Sequence, residues 1–152
     1  MTEMLSRPVT GGIEGPTPPQ ALEAERSVLA ALMLGQDAIG RPVETLPADA
    51  FYRTSHQKIY QAIVALYNRN EQVDVITLAE ELRKRSDLEA VGGPAALAQI
   101  LEYATTTANL DQHIKLIHSK NILRGLIKAT GEIQQEAYAA SDETPEILDR
   151  AE

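Results

Sequence analysis

The stretch NLDQHIKLIHSKNILRGLIKATGEIQQEAYAA, residues 109–140, decides the fold. It offers one long helical pattern, and its apolar residues change sides partway along. Placed at about 100° per residue, Leu110, Ile114 and Ile117 fall together on one side. From Ile122 onward, Leu123, Leu126, Ile127, Ile133 and Ala137 lie roughly on the opposite side. A straight helix packed on one core keeps its stripe on one side. Either the helix kinks near Ser119–Asn121, or its two halves meet different neighbours. The second reading is adopted: the first half packs on a head made by residues 19–104. The second half projects and buries its stripe against a following helix and a second subunit. Gly125 and Gly131 each weaken the helix by up to about 1 kcal/mol relative to Ala. Close approach of another helix explains them no better than simple tolerance does.

Beyond the arm, Thr144-Pro145-Glu146 supplies a cap, a first-turn proline and an acidic first turn, so a last helix begins there. It is still running at Glu152, as expected of a chain cut from something longer. Toward the N-terminus, Gly92-Gly93-Pro94 predicts a turn and helix start, with Ala96, Leu97, Ile100 and Leu101 as the apolar side, and Thr105-Thr106-Thr107 predicts a break. Asp74 is a plausible cap for a helix with Leu78, Ala79 and Leu82 inward, and Glu80, Glu81, Arg83, Lys84 and Arg85 toward solvent. Thr54 or Ser55 can cap a helix carrying His56, Ile59, Tyr60, Ile63, Leu66 and Tyr67 on one stripe. Pro47–Tyr52 is a connector that delivers Phe51 and Tyr52, and a weaker helix spans Asp37–Leu46 around Gly40 and Pro42. Pro18-Pro19 begins the first helix, where Leu22, Val28, Leu29, Leu32 and Met33 recur with Glu23, Glu25 and Arg26 between them. The fold class predicted is all-α: a disordered tail over 1–17, a compact multi-helix head over 18–107, and a projecting helical hairpin over 108–152 with its second helix truncated.

Composition agrees and excludes several functions. Aromatic residues are only 4% of the 152, which suits packed helices better than a β-sandwich. There is no cysteine, so thiolate metal sites and Cys nucleophiles are excluded. A net charge of −8 argues against a dedicated nucleic-acid binder, which gains most of its affinity from neutralising phosphates. No run is apolar enough for a signal peptide or membrane span, and a cytoplasmic location is expected. Neither Gly11-Gly12 nor Gly92-Gly93 is followed by the lysine and hydroxyl of a phosphate-binding loop. His113 and His118 are about 140° apart on a helix, so they do not converge on a metal. His56 reads as a packed or capping histidine, and the Glu80-Glu81 pair as a solvated face. The chain is expected to be no enzyme, with no catalytic, cofactor or metal residues.

The string Pro18-Pro19-x-x-Leu22-Glu23-Ala24-Glu25-x-x-Val28-Leu29 is followed by Phe51-Tyr52-x-x-x-His56-x-x-Ile59 and then Val73-Asp74-x-x-Thr77-Leu78-x-x-x-Leu82. Leu88-Glu89-x-Val91-Gly92-Gly93 and Ala108-Asn109 complete the order. In this order and spacing the chain resembles the N-terminal domain of the DnaB family of bacterial replicative DNA helicases. The resemblance implies a helical head plus a hairpin that pairs subunits, six such domains forming a collar on the helicase ring. It also implies docking of primase through the primase's C-terminal domain, and a separate ATP-driven motor that would bind ATP and magnesium. The partner-binding residues it implies are Leu123, Leu126, Ile127, Thr130, Ile133 and Ala137, with primase contact at Ile127 and Ile133. Relatives often carry an aromatic residue after the Gly-Gly turn, where this chain has Ala96 before Leu97. Two alternatives stand beside it: a nucleic-acid-binding domain using Lys115, Lys120, Arg124 and Lys128, and a purely structural oligomerisation domain. By itself the fragment is expected to form at most a dimer and to bind little DNA.

Overall fold

The computed structural model describes residues 16–104, 109–139 and 144–151. Among the described residues all regular structure is helical: α1 Leu22–Leu34, α2 Gly40–Thr45, α3 Thr54–Asn68, α4 Val75–Lys84, α5 Gly93–Leu101, α6 Leu110–Ala139 and α7 Thr144–Ala151. Single 3-10 turns lie at Gln36–Ala38 and Ala48–Ala50. The all-α class is as predicted. Residues 1–15 of the predicted tail and the predicted break at Thr105–Thr107 lie outside the described residues.

Helix α1 is the centre of the head. Val28, Leu29, Ala30, Ala31, Leu32 and Met33 are all buried in succession. A helix apolar all round needs neighbours all round, and α3, α5 and α6 pack against it. Two details of the sequence reading change here. The helix begins at Leu22 with Ala21 as its N-cap, so Pro18-Pro19 precedes it. A proline disfavours helical backbone in the residue before it, which keeps Pro18 out of a helix. Glu25, placed by sequence among the interleaved polar positions, is only 1% exposed.

Glu25 is buried because it caps a different helix. No side chain of α3 caps its own N-terminus; Arg53 holds the N-cap position without a side-chain bond, and neither Thr54 nor Ser55 plays that part. Instead the Tyr52 backbone N–H donates to Glu25 Oε2 at 2.8 Å and the Arg53 N–H to Oε1 at 3.5 Å. His56 Nδ1 lies 2.7 Å from the same Oε1, with both side chains enclosed. A carboxylate at a helix N-terminus also meets the favourable end of the helix dipole. The connector is held from its other side as well: Phe51 is fully buried, its ring 4.8 Å from that of Tyr60.

The Asp74 cap is as predicted, with Thr77 completing a capping box and Leu78, Ala79 and Leu82 inward. Glu81 is not. It is buried, accepting from Arg69 Nη2 at 2.6 Å and from Arg85 Nε at 2.8 Å, so a carboxylate ties the end of α3 to α4. Hydrogen bonds from Arg69 first and Arg85 second hold its carboxyl down to about 2 from the ordinary 4.5, against the upward pull of burial. A depressed carboxyl stabilises the fold above its unfolded value and loses that contribution as pH falls. The head should therefore weaken between pH 4.5 and 2. In urea unfolding, Glu81→Gln is expected to lower the midpoint at neutral pH and to flatten the acid limb; an unchanged acid limb contradicts this.

Gly92 and Gly93 both have positive φ, 102° and 76°. A Cβ on Gly92 would meet the Ala96 Cβ at 2.9 Å, so glycine is required at this turn into α5. Helix α6 follows as one continuous element of 30 residues, about 45 Å long at 1.5 Å per residue. The helix runs unbroken through Ser119–Asn121, where the stripe changes side.

Candidate docking face on the long helix

Leu110, Ile114 and Ile117 of α6 are buried in the head. The same face continues through half-buried Asn121 to Arg124. Arg124 does not sit free on a polar stripe: its Nη1 donates to the Pro19 carbonyl at 2.7 Å and its Nη2 to the Ala50 carbonyl at 2.6 Å. Its guanidinium also lies 5.4 Å from the centre of the Tyr52 ring. The row Lys115, Lys120, Arg124 and Lys128 thus has one member already engaged, which weakens it as a phosphate-binding track.

On the opposite face the apolar side chains stay open. Leu123 is 41% exposed, and Leu126 and Ile127 are 57% exposed each. Thr130 and Ala137 are exposed and Ile133 is half-buried. The Thr130 hydroxyl bonds back to the Leu126 and Ile127 carbonyls at 2.8 and 3.1 Å, so it brings no unmet polar demand to this face. Two further members stand outside the predicted contact residues, Leu116 at 46% and Ile122 at 50% exposure. Leu116 was missed because the first half of α6 was assigned wholly to the head. The spacing nevertheless carried the signal: Leu116, Leu123, Thr130 and Ala137 recur every seven residues, interleaved by Ser119, Leu126 and Ile133. Alternating steps of three and four make the seam that a second helix follows at coiled-coil geometry.

Among the described residues this seam stays open. Helix α7 packs against α6, with Arg150 Nε 2.7 Å from Glu136 Oε2, forming the hairpin. Leu123, Leu126 and Ile127 of α6 are exposed. A Cβ added at Gly125 or Gly131 would meet nothing within 4 Å, so no neighbour among the described residues requires either glycine. Among the described residues, no cluster of His, Asp and Glu suited to a metal occurs, and no helix is long and apolar enough to cross a membrane. Exposed apolar side chains gathered on one helix face mark a candidate interaction surface.

Comparison with known proteins places this architecture. A family model described as "DnaB-like helicase N terminal domain" matches residues 17–119. The chain belongs to this family. Among its relatives are the "Replicative DNA helicase DnaC" of Bacillus subtilis, 42% identical over 135 residues, and the "Replicative DNA helicase DnaB" of Mycobacterium leprae, 38% identical over 140 residues. These alignments cover 89% and 91% of this chain but 30% and 23% of the relatives, so the chain spans less than a third of their length. The crystal structure of the N-terminal domain of DnaB helicase from Mycobacterium tuberculosis superposes with a TM-score of 0.84 at 38% identity, covering 89% of this chain and 95% of that one. The DnaB-type all-α architecture, head plus hairpin, is thus shared with a solved member of the family. The family match itself ends at residue 119, within the seam that runs from Leu116 to Ala137.

Proposed function

We propose that this domain pairs replicative helicase subunits through the outward seam of α6 and docks primase on the resulting collar. In this reading two copies join along the seam, six copies complete the ring, and the C-terminal domain of primase contacts the hairpin at Ile127 and Ile133. The domain itself is not catalytic. ATP and magnesium belong to a motor domain of the longer protein, whose activity is that of an ATP-dependent 5'-3' DNA helicase. The setting is the cytoplasm.

The observation that carries this reading is the open seam from Leu116 to Ala137 on a helix whose other side is already satisfied by the head. Magnitudes fit reversible pairing. Burying the open halves of four such side chains on each of two copies yields roughly 6–12 kcal/mol, against an association cost of about 4–15 kcal/mol. A dimer that forms and parts with concentration is the expected result; a stable hexamer of this chain by itself is not.

The test is a calorimetric titration of the chain with the isolated C-terminal domain of primase at physiological salt. Saturable binding, weakened at least tenfold by Ile127→Asp, is expected. No binding, together with an intact dimer, would leave a purely structural domain. Tight DNA binding that collapses steeply with salt would replace the proposal with the nucleic-acid reading.

A further inference from the structure

Arg124 is the last residue of α6, among those described, to hydrogen-bond to the head. It stands seven residues beyond Ile117, on the continuation of the buried face past half-buried Asn121. The guanidinium is met there by two main-chain carbonyls and a ring, those of Pro19, Ala50 and Tyr52. No carboxylate among the described residues pairs with it. Charge pairing is therefore not what places it. Geometry is: two acceptors from distant parts of the chain are bridged by one planar fork.

The acceptors are themselves fixed. Ala50 is fully buried and its N–H donates to the Pro47 carbonyl at 3.0 Å. Phe51 next to it is enclosed, and Glu25 holds the Tyr52 N–H at 2.8 Å. The head thus presents a rigid platform to one side of α6. From this point residues 125–139 run on for about 22 Å. A rotation of ~10° at Arg124 would carry the tip sideways by ~4 Å over that length. Interfaces pack to interior density, so such a shift would break the register of the seam.

We infer that Arg124 is a positioning residue that sets the direction in which α6 holds out the docking face. The role given to that face rests on the proposed function; the direction of the arm does not. The chain has no cysteine, so cysteines introduced at exposed Gln61 and Gln135 can be spin-labelled alone. Pulsed EPR at concentrations below self-association then reads the distribution of distances between α3 and the arm.

In the otherwise native chain one narrow distance distribution is expected. Arg124→Ala should broaden it at least twofold while the urea midpoint of the head stays put. Arg124→Lys should fail to restore it, because one ammonium cannot bridge two separated carbonyls beneath a ring. If Arg124→Ala unfolds the head, Tyr52→Leu is the deciding variant, and it should broaden the distribution to a lesser degree. A distribution unchanged in Arg124→Ala, or in Tyr52→Leu where that variant decides, overturns the inference. Broadening without any self-association upholds the inference and removes the docking reading.

Discussion

Replacing Leu126 and Ile133 together by aspartate is expected to abolish self-association of the chain while leaving the head folded. The two side chains are seven residues apart on the seam, so they meet the same partner surface. In the single chain the change is cheap. Leu126 is 57% exposed, Ile133 is half-buried, and aspartate lowers helix propensity only by about 0.7 kcal/mol or less per site. In the pair it is severe. Four carboxylates would enter an apolar contact, and burying a charge without a partner costs several kcal/mol each. Sedimentation should give a monomer at every concentration, with helical content and urea midpoint close to the native values. Collapse of the whole domain would mean that these residues belong to the head core, and the assignment of the arm would fail with them.

The second large effect lies inside the head. Glu25→Ala should lower its stability by about 3 kcal/mol or more, since each buried donor left without an acceptor costs about 1–3 kcal/mol. The Tyr52 N–H, the Arg53 N–H and His56 Nδ1 all lose their acceptor at once. Water cannot readily replace it, because both side chains are nearly fully enclosed. Domains of this size are stable by only about 5–15 kcal/mol, so the loss should be plain in urea unfolding. It should also loosen the connector that receives Arg124. A change of less than about 1 kcal/mol would show that these hydrogen bonds contribute little to the fold.

How far these features were legible depends on their range along the chain. Local signals read well: the Asp74 cap, the Gly92-Gly93 turn and the helix from Thr144 are all decided by residues within a few positions of each other. The change of side along α6 was legible for the same reason, since spacing alone places Ile117 and Leu126 on opposite faces. Long-range polar contacts were not. Glu25 reaches residues 27 and 31 positions away, and Glu81 is met by Arg69 12 positions before it. A carboxylate between apolar neighbours looks solvated until its partner is known. Arg124 shows the same limit, its acceptors lying 74 and 105 residues away.

The central claim, that the outward face of α6 is covered by another molecule, can be read most directly from methyl NMR spectra of the native chain over a dilution series. The methyl signals of Leu123, Leu126 and Ile127 should shift with concentration, while those of buried Leu29 and Ile63 in the head stay fixed. Seam methyls that hold one position from the most dilute to the most concentrated sample would contradict it.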